Sequence, residues 1–311
     1  MSLFEALQLQ AALSKEELLW YAATASKRYK KYPVKKRNGG ERIICHPSRG
    51  LKAIQRWIIE YVFKNLEVHG SATAYKKGAS TKKNADIHKN HAFTLRVDFE
   101  EFFPSFSSAG VHQFINKINS EKGIGLKYDE VLLIDKFVTR YGSLTIGAPT
   151  SPILTNLMMY SFDDEMSHWC IGNDMVYSRY ADDVFISCSA ANQLGGALVK
   201  LREVAKQFPY ADLKVNEKKT KFLSKRYRRS VTGIVITPDG NLSVGREVKR
   251  KIRTLVYLYK SGSLDTKEIP GLQGMISYIG GVEPDFINSI ARKYGSSVLQ
   301  SLKDGHFPAR V

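Results

Sequence analysis

Two adjacent acids, Asp182 and Asp183, stand at the centre of Met175–Ser187, MVYSRYADDVFIS. Met175, Val176, Tyr177 and Tyr180 precede them, and Val184, Phe185 and Ile186 follow. Such apolar and aromatic runs favour strands and a short polar centre favours a tight turn, so the stretch predicts a hairpin with two carboxylates at its tip. Adjacent carboxylates repel each other unless positive charge lies beside them, and a hard divalent cation such as Mg²⁺ suits oxygen ligands. A solvated turn accommodates the same pair without any chemistry, so the pair alone leaves both readings open. The chain holds another such pair, Asp163–Asp164, in TNLMMYSFDDEMSHW. There Leu157, Met158, Ser161, Phe162, Glu165, Met166 and Trp169 recur at helical spacing, which predicts the wet side of a helix for both acids. A further acid, Asp98, ends the predicted strand FTLRVDF. A strand ending in one Asp, beside a hairpin carrying two, can gather its carboxylates around two metal ions. Two ions about 3.5–4 Å apart clamp the attacking and leaving oxygens of an in-line phosphoryl displacement.

The bulk properties suit that chemistry. The 311 residues carry 47 Lys and Arg against 30 Asp and Glu, a formal charge of +17 with a pI near 9.6. So basic a balance points to a polyanion, with nucleic acid ahead of an anionic membrane surface. No apolar run approaches the length of a spanning helix, and MSLFEALQLQ is acidic rather than cationic, unlike a signal peptide. Cys45, Cys170 and Cys188 are far apart and lack a CxxC neighbourhood, which predicts reduced thiols in a cytoplasmic protein and no zinc site.

The elements that must position the acids follow from the pattern. Residues 3–29 read as helical, with Leu3, Leu7 and Leu9 early, then Ser14 as an N-cap with Glu17 three later; Leu18, Leu19, Ala22 and Ala23 are expected on the buried side. A basic hairpin follows, with Lys30, Lys31, Lys35, Lys36, Arg37 and Arg42 around a turn at Asn38-Gly39-Gly40. Pro47 closes it, and Leu51, Ile54, Trp57, Ile58, Tyr61 and Val62 trace an amphipathic helix. Ser71–Asn90 reads as a polar loop, Phe93–Phe99 as a strand and Val111–Tyr141 as mostly helical. Thr145–Pro152 is a tight loop that starts a helix around Leu154–Trp169. After the acidic hairpin come a helix over Leu201–Phe208, a strand over Asp212–Leu223 and a hairpin over Val231–Arg246 turning at Pro238–Asn241. Helices return from Glu247, over Leu272–Ile279 and Phe286–Leu302.

At this point the motifs become specific. Tyr180-Ala181-Asp182-Asp183 resembles the YADD signature of reverse transcriptases, and Val97-Asp98-Phe99 with Phe102-Phe103-Pro104 resembles the strand supplying their other acid. Gly147-Ala148-Pro149-Thr150-Ser151-Pro152 is similar to their loop beneath template and nucleotide, and Asn216-Glu217-Lys218-Lys219-Thr220 to their N-x-x-K-T element. Asn84-Ala85-Asp86-Ile87-His88 resembles the NAxxH element of retron reverse transcriptases, and Val231-Thr232-Gly233 their VTG triplet. The chain's end after a short basic helical region, without a recognisable ribonuclease H, integrase or endonuclease module, is also similar to that family. Two departures stand out: Ile146 where the family often has Gln, and lysines in Ala74-Tyr75-Lys76-Lys77-Gly78-Ala79-Ser80 where arginine is frequent.

The resemblance implies an α+β right-hand polymerase fold, with a palm of antiparallel sheet plus helices and a short helical thumb. Its expected divisions are 1–95 for N-terminal helices and fingers, 96–235 for the palm with a fingers-associated helical insertion about 111–145, and 236–311 for primer-grip hairpin and thumb. The implied activity is RNA-directed DNA synthesis from dNTP substrates with two Mg²⁺ ions per active site. Asp98, Asp182 and Asp183 would be the catalytic acids and metal ligands, Asp183 supporting one ion or orienting the primer end, with the carbonyl of Phe99 as an extra ligand. Phe103 would be an aromatic gate against a 2′-hydroxyl, while Phe102 and Phe106 belong to the core. Ala148 and Pro149 would shape the nucleotide floor, and Lys219, Arg42 and Lys77 would contact the triphosphate. Expected RNA contacts are Asn84, His88, Thr232, Gly233, Lys225, Arg226, Arg228, Arg229, Lys249 and Arg253, with loop ordering as another role for Asn84 and His88 and a buried structural histidine as the competing reading of His88. Retron enzymes copy part of a structured non-coding RNA, primed from the 2′-hydroxyl of an internal guanosine, into branched RNA-linked msDNA. They do so in the bacterial cytoplasm, within anti-phage defence systems that include an effector protein. Another short bacterial reverse transcriptase, intron-like or diversity-generating, is the alternative within enzymes; a non-catalytic RNA-binding scaffold of the same fold is the alternative outside them.

Overall fold

The computed structural model describes residues 2–35 and 39–305, which form two compact units. The first comprises Met1–Ala79, Leu95–Ile186 and Asn192–Lys221; the second comprises Ser80–Thr94, Ser187–Ala191 and Phe222–Val311.

The first unit opens with α1 (Leu3–Ala11) and α2 (Lys15–Ala23), each started by a capping box, Ser2 with Glu5 and Ser14 with Glu17. Helix α2 buries only Leu18 and Ala22; Leu19 and Ala23, expected inside, are exposed because the covered stripe is one residue wide per turn. Strands β1 (Tyr29–Lys35) and β2 (Glu41–Pro47) pair antiparallel, Tyr29 opposite Pro47 and Lys35 opposite Glu41. Gly39 and Gly40 take the positive φ the turn requires, whereas Asn38 and the cations Lys36 and Arg37 lie outside the described residues. Helix α3 (Arg49–Ile58) buries Leu51, Ile54 and Ile58 and ends in one π-helical turn, Ile59–Phe63. That turn shifts the periodicity, so Tyr61 is exposed and stacks on Trp57 at 4.4 Å between centroids.

After α4 (Thr81–His88), which belongs to the second unit, the chain runs along β3 (Phe93–Asp98). It continues through α5 (Phe102–Ser105), α6 (Ser108–Lys122), α7 (Tyr128–Val138), α8 (Thr150–Met158) and α9 (Tyr160–Ile171). Strands β4 (Val176–Tyr180) and β5 (Asp183–Cys188) form the acidic hairpin; α10 (Leu194–Gln207) and β6 (Lys221–Ser224) follow. The sheet order is β4-β5-β3-β6, so the strand ending at Asp98 lies beside the strand beginning at Asp183. The strand expected over Asp212–Leu223 is regular only at β6; before it, Val215 makes a lone antiparallel bridge to Phe99. Under this sheet Phe99, Phe162 and Phe208 meet edge to face, at 5.8 and 6.1 Å. Helix α6 approaches so closely that a Cβ on Gly110 would lie 2.0 Å from the Tyr210 carbonyl oxygen.

In the second unit, α4 replaces the loop expected over Ser71–Asn90. Ser80 caps it by accepting the Lys83 N–H, and its buried face is Asn84, Ala85 and His88. A polar buried face gives no apolar periodicity, which is why the sequence reads there as loop. Strands β7 (Arg229–Val231), β8 (Ile234–Ile236) and β9 (Leu242–Ser243) form an antiparallel meander. The expected hairpin is β8–β9; an additional one, β7–β8, turns on Thr232 (φ 47°) and Gly233 (φ 83°), the double positive φ of a primed turn. Helices α11 (Arg246–Lys260), α12 (Ile269–Val282), α13 (Pro284–Tyr294) and α14 (Ser296–Lys303) complete it, with Gly295 (φ 105°) dividing what reads in sequence as one helix.

Candidate active site

The acids from β3 and the β4–β5 tip are neighbours. The Phe99 N–H donates to the Asp182 carbonyl at 3.2 Å, and the Asn216 N–H to the Asp98 carbonyl at 2.8 Å. Ala181 is left-handed (φ 58°), which compresses the turn and brings Asp182 up beside Asp98. Burial raises the pKa of Asp182, and the Asp98 charge raises it further. Asp98 is buried and accepts from Lys219 Nζ at 2.7 Å. Asp183 is engaged differently: Arg96 Nε and Nη2 both donate to its Oδ1, at 3.0 and 2.8 Å. Burial nevertheless pushes Asp183 up to about 6, against the pull of the guanidinium. Among the described residues no three Asp, Glu, His or Cys side chains stand grouped as a metal site. The donor pair that fits a hard cation is therefore Asp98 with Asp182: a buried carboxylate that already holds an ammonium, and a half-buried one whose charge the Asp98 carboxylate disfavours.

Of these acids, Asp182 lines a cleft of about 410 Å³, and Lys219, which Asp98 holds, lines it too. Its walls include Arg42, Ile43 and Cys45 from β2, Tyr75, Phe99 and Phe103, Thr145 and Ile146, then Asp182 and Lys219. The 145–147 loop is pressed onto β2: the Cys45 N–H donates to the Ile146 carbonyl at 2.8 Å. A Cβ on Gly147 (φ 109°) would lie 2.6 Å from the Cys45 carbonyl oxygen, so only glycine fits. A cleft with Arg42 and Lys219 on its walls beside the Asp182 carboxylate suits a polyphosphate whose bond is to be broken beside bound metal.

The reverse transcriptase (RNA-dependent DNA polymerase) family matches residues 34–253. The chain is 35% identical over 283 residues to the retron Ec83 reverse transcriptase of Escherichia coli, covering 88% of this chain and 89% of that protein. To the retron Ec73 reverse transcriptase of Escherichia coli it is 30% identical, covering 85% and 86%. The chain belongs to the retron reverse transcriptases. The activity of that family is RNA-directed DNA polymerisation, and it is this enzyme's. A telomerase from Candida albicans, solved in complex with a TWJ fragment of telomeric RNA, superposes with a TM-score of 0.50 at 11% identity. The match covers 89% of this chain and 61% of that one, and supports the α+β polymerase fold alone. Among the described residues no helix is long and apolar enough to cross a membrane.

Other expected site residues of the reverse transcriptase are distributed unevenly. Phe103 lines the cleft together with the buried Phe102, while Phe106 is buried outside the lining. Ala148 is buried and Pro149 caps α8, so Thr145 and Ile146 form the wall in their place. Arg42 is on the wall, whereas Lys77 is exposed away from it. Asn84 and His88, expected at RNA, are fully buried. His88 Nδ1 meets Ser187 Oγ at 2.8 Å, Thr94 joins the same hydroxyl at 2.7 Å, and burial pushes His88 down to about 3. Arg229 is likewise buried; it donates to the carbonyls of His91 and, at 3.0 Å, Lys89. Thr232 Oγ1 donates to the Thr81 carbonyl at 3.1 Å, and Gly233 is exposed. Lys225, Arg226 and Arg228 are exposed with Tyr227 among them. Lys249 pairs with Glu283, and Arg253 is exposed with its guanidinium 5.1 Å over the Phe286 ring.

The sequence reading misses Arg96, Tyr75, Asn156, Asp163 and Arg179. Asp163 is not on the wet side of α9: it is 0% exposed and receives the Arg179 guanidinium. A signal was present, since Met159, Asp163, Met166 and Cys170 share one helical face and the other three are apolar. Asp164 does remain partly exposed.

Proposed function

We propose that this enzyme copies part of a structured RNA of its own retron, starting from the 2′-hydroxyl of an internal guanosine. The product is DNA joined to RNA through a branch, made in the bacterial cytoplasm within an anti-phage defence system that includes an effector protein. The observation carrying the catalytic part is the Phe99 N–H to Asp182 carbonyl bond, which joins the strand of Asp98 to the turn of Asp182, a residue of the cleft lining. Residues 1–95 act as fingers, 96–235 as palm and 236–311 as primer grip and thumb.

In this reading Asp98 and Asp182, with the Phe99 carbonyl, hold two Mg²⁺ ions, and Asp183 adds negative charge from its place on Arg96. Bound Mg²⁺ supplies a lowered pKa for the attacking hydroxyl and neutralises charge on the triphosphate. Lys219 hands Asp98 over to the metal and turns its ammonium to the leaving pyrophosphate. Arg42, on the cleft wall, meets the triphosphate from the fingers, a role that Lys77 does not share. The Phe103 ring occupies the space a ribonucleotide 2′-hydroxyl needs, which selects dNTPs. Lys225, Arg226 and Arg228 contact RNA phosphates, Tyr227 offers a ring for stacking, and Thr232 and Gly233 approach the backbone. Purification with the co-expressed cognate RNA provides the test: the DNA that accompanies the protein is expected to stay joined to RNA after protease treatment, and to lose that RNA on debranching. Linear DNA without an RNA branch would assign the chain to a different priming mode.

A further inference from the structure

Asp163 and Arg179 form an ion pair in which both side chains are 0% exposed, with Nη2 2.6 Å from Oδ2. Nε donates to Oδ1 at 2.8 Å, making the pair bidentate, and the Tyr177 hydroxyl donates to the same Oδ1 at 2.6 Å. A buried pair of this kind rarely stabilises a fold more than apolar side chains of equal volume would; what it does supply is fixed geometry. The remaining nitrogen, Nη1, donates to the Ala181 carbonyl at 3.1 Å and to Asn156 Oδ1 at 3.2 Å. Ala181 is the left-handed residue immediately before Asp182.

The other arm of the network reaches the segment that carries Tyr75, another residue of the cleft lining. Asn156 Nδ2 donates to the Ala74 carbonyl at 2.8 Å, and Thr73 donates to the Arg179 carbonyl from both N–H (2.7 Å) and Oγ1 (3.0 Å). The next residue is Tyr75, again left-handed (φ 57°), and it lines the cleft together with Asp182. Bulky L-residues avoid that conformation unless surrounding bonds impose it, and such residues cluster where geometry serves a site. Here Tyr75 lines the cleft and Ala181 directly precedes cleft-lining Asp182; one buried guanidinium bonds the Ala181 carbonyl and, through Asn156, reaches the carbonyl of Ala74 just before Tyr75.

We propose that Arg179, clamped by Asp163, is a positioning residue for nucleotide addition: it fixes the Ala181 turn that aims Asp182 and, through Asn156, the Ala74 carbonyl that presents Tyr75 to the incoming nucleotide. The proposal rests on the reading of Asp182 as a metal ligand and of the cleft as the nucleotide site. Two substitutions separate the arms. Asn156→Ala leaves the Arg179–Asp163 pair and the Ala181 bond in place but frees the Tyr75 wall, so KM for dNTP should rise ~5–10-fold with kcat changed less than ~3-fold. Arg179→Lys keeps the charge but cannot span Asp163, Ala181 and Asn156 together, so kcat should fall ~30–100-fold.

The experiment is single-nucleotide incorporation by the full chain on an RNA template, across a dNTP titration. Each variant is assayed below its own melting transition and normalised to the template-bound fraction, with Asp182→Asn alongside. The expected pattern is a KM effect for Asn156→Ala and a kcat effect for Arg179→Lys. Wild-type kcat and KM in both folded variants would overturn the proposal. If Arg179→Lys does not fold, Asn156→Ala decides: an unchanged KM overturns the proposal and a raised KM upholds it. Activity in Asp182→Asn would instead remove the underlying site reading, whereas a dead Asp182→Asn beside unaltered Asn156→Ala and Arg179→Lys removes only the positioning role.

Discussion

Asp98 and Asp182 are far apart in the sequence yet are joined by a main-chain hydrogen bond, from the Phe99 N–H to the Asp182 carbonyl. Both were readable because strand-forming residues surround a polar turn in one case and lead to a terminal acid in the other. Asp163 was not readable in the same way, because an acid within an apolar helical stripe becomes interpretable only when its partner, Arg179, is known. Phe103 sits on the cleft wall with its neighbours Phe102 and Phe106 buried, so removing its ring alters the site more than the core. Phe103→Ala should therefore lower the preference for dNTP over rNTP by ~10²-fold or more, measured as the ratio of kcat/KM values on one template. His88 gives a pH prediction. Its folded pKa, near 3, lies below the ordinary 6.5, so between these values the unfolded chain binds more protons and stability falls as pH drops. The slope from this one group is about 1.4 kcal/mol per pH unit, and it vanishes above the unfolded pKa. Urea unfolding at several pH values should show it, and His88→Asn should flatten the acid limb.

At the scale of elements, the capping boxes, the basic hairpin and the β4–β5 hairpin follow from local patterns that tertiary contacts did not override. The misses share a physical cause. Helix α4 buries Asn84 and His88, the β7–β8 turn uses Thr232 where glycine would be the easier residue, and α3 changes pitch at a π turn. In the first two, a tertiary partner supplies what the local sequence lacks: a hydrogen bond between His88 and Ser187, and one from Thr232 to the Thr81 carbonyl. The Asp163–Arg179 contact is the buried electrostatic link between α9 and β4. Asp163→Ala would leave the guanidinium buried without its carboxylate, and should destabilise the fold by ~3–5 kcal/mol in denaturant titration. A loss below ~1 kcal/mol would mean that the site relaxes enough to admit water.

For the whole molecule, the charge of +17 made a polyanion partner legible from composition alone, while the roles of individual cations were not. Arg229 turns inward to main-chain carbonyls and Lys249 to Glu283, so neither has the freedom of the exposed Lys225 or Arg226. Single-stranded RNA affinity should fall linearly in log–log with salt, at a slope of about −0.7 per phosphate neutralised, and Arg226→Ala should make it shallower. Arg229→Ala should instead lower the melting temperature and leave the slope as it was. The site itself is tested most directly by Mg²⁺-dependent dNTP incorporation on an RNA template, with RNA affinity measured in parallel, for the wild type, Asp98→Asn and Asp182→Asn. Incorporation reduced by ~10³-fold or more in both variants, with RNA affinity unchanged, is the expected result, since each removes an oxygen charge that holds the metals. Incorporation near the wild-type rate in either folded variant would contradict it.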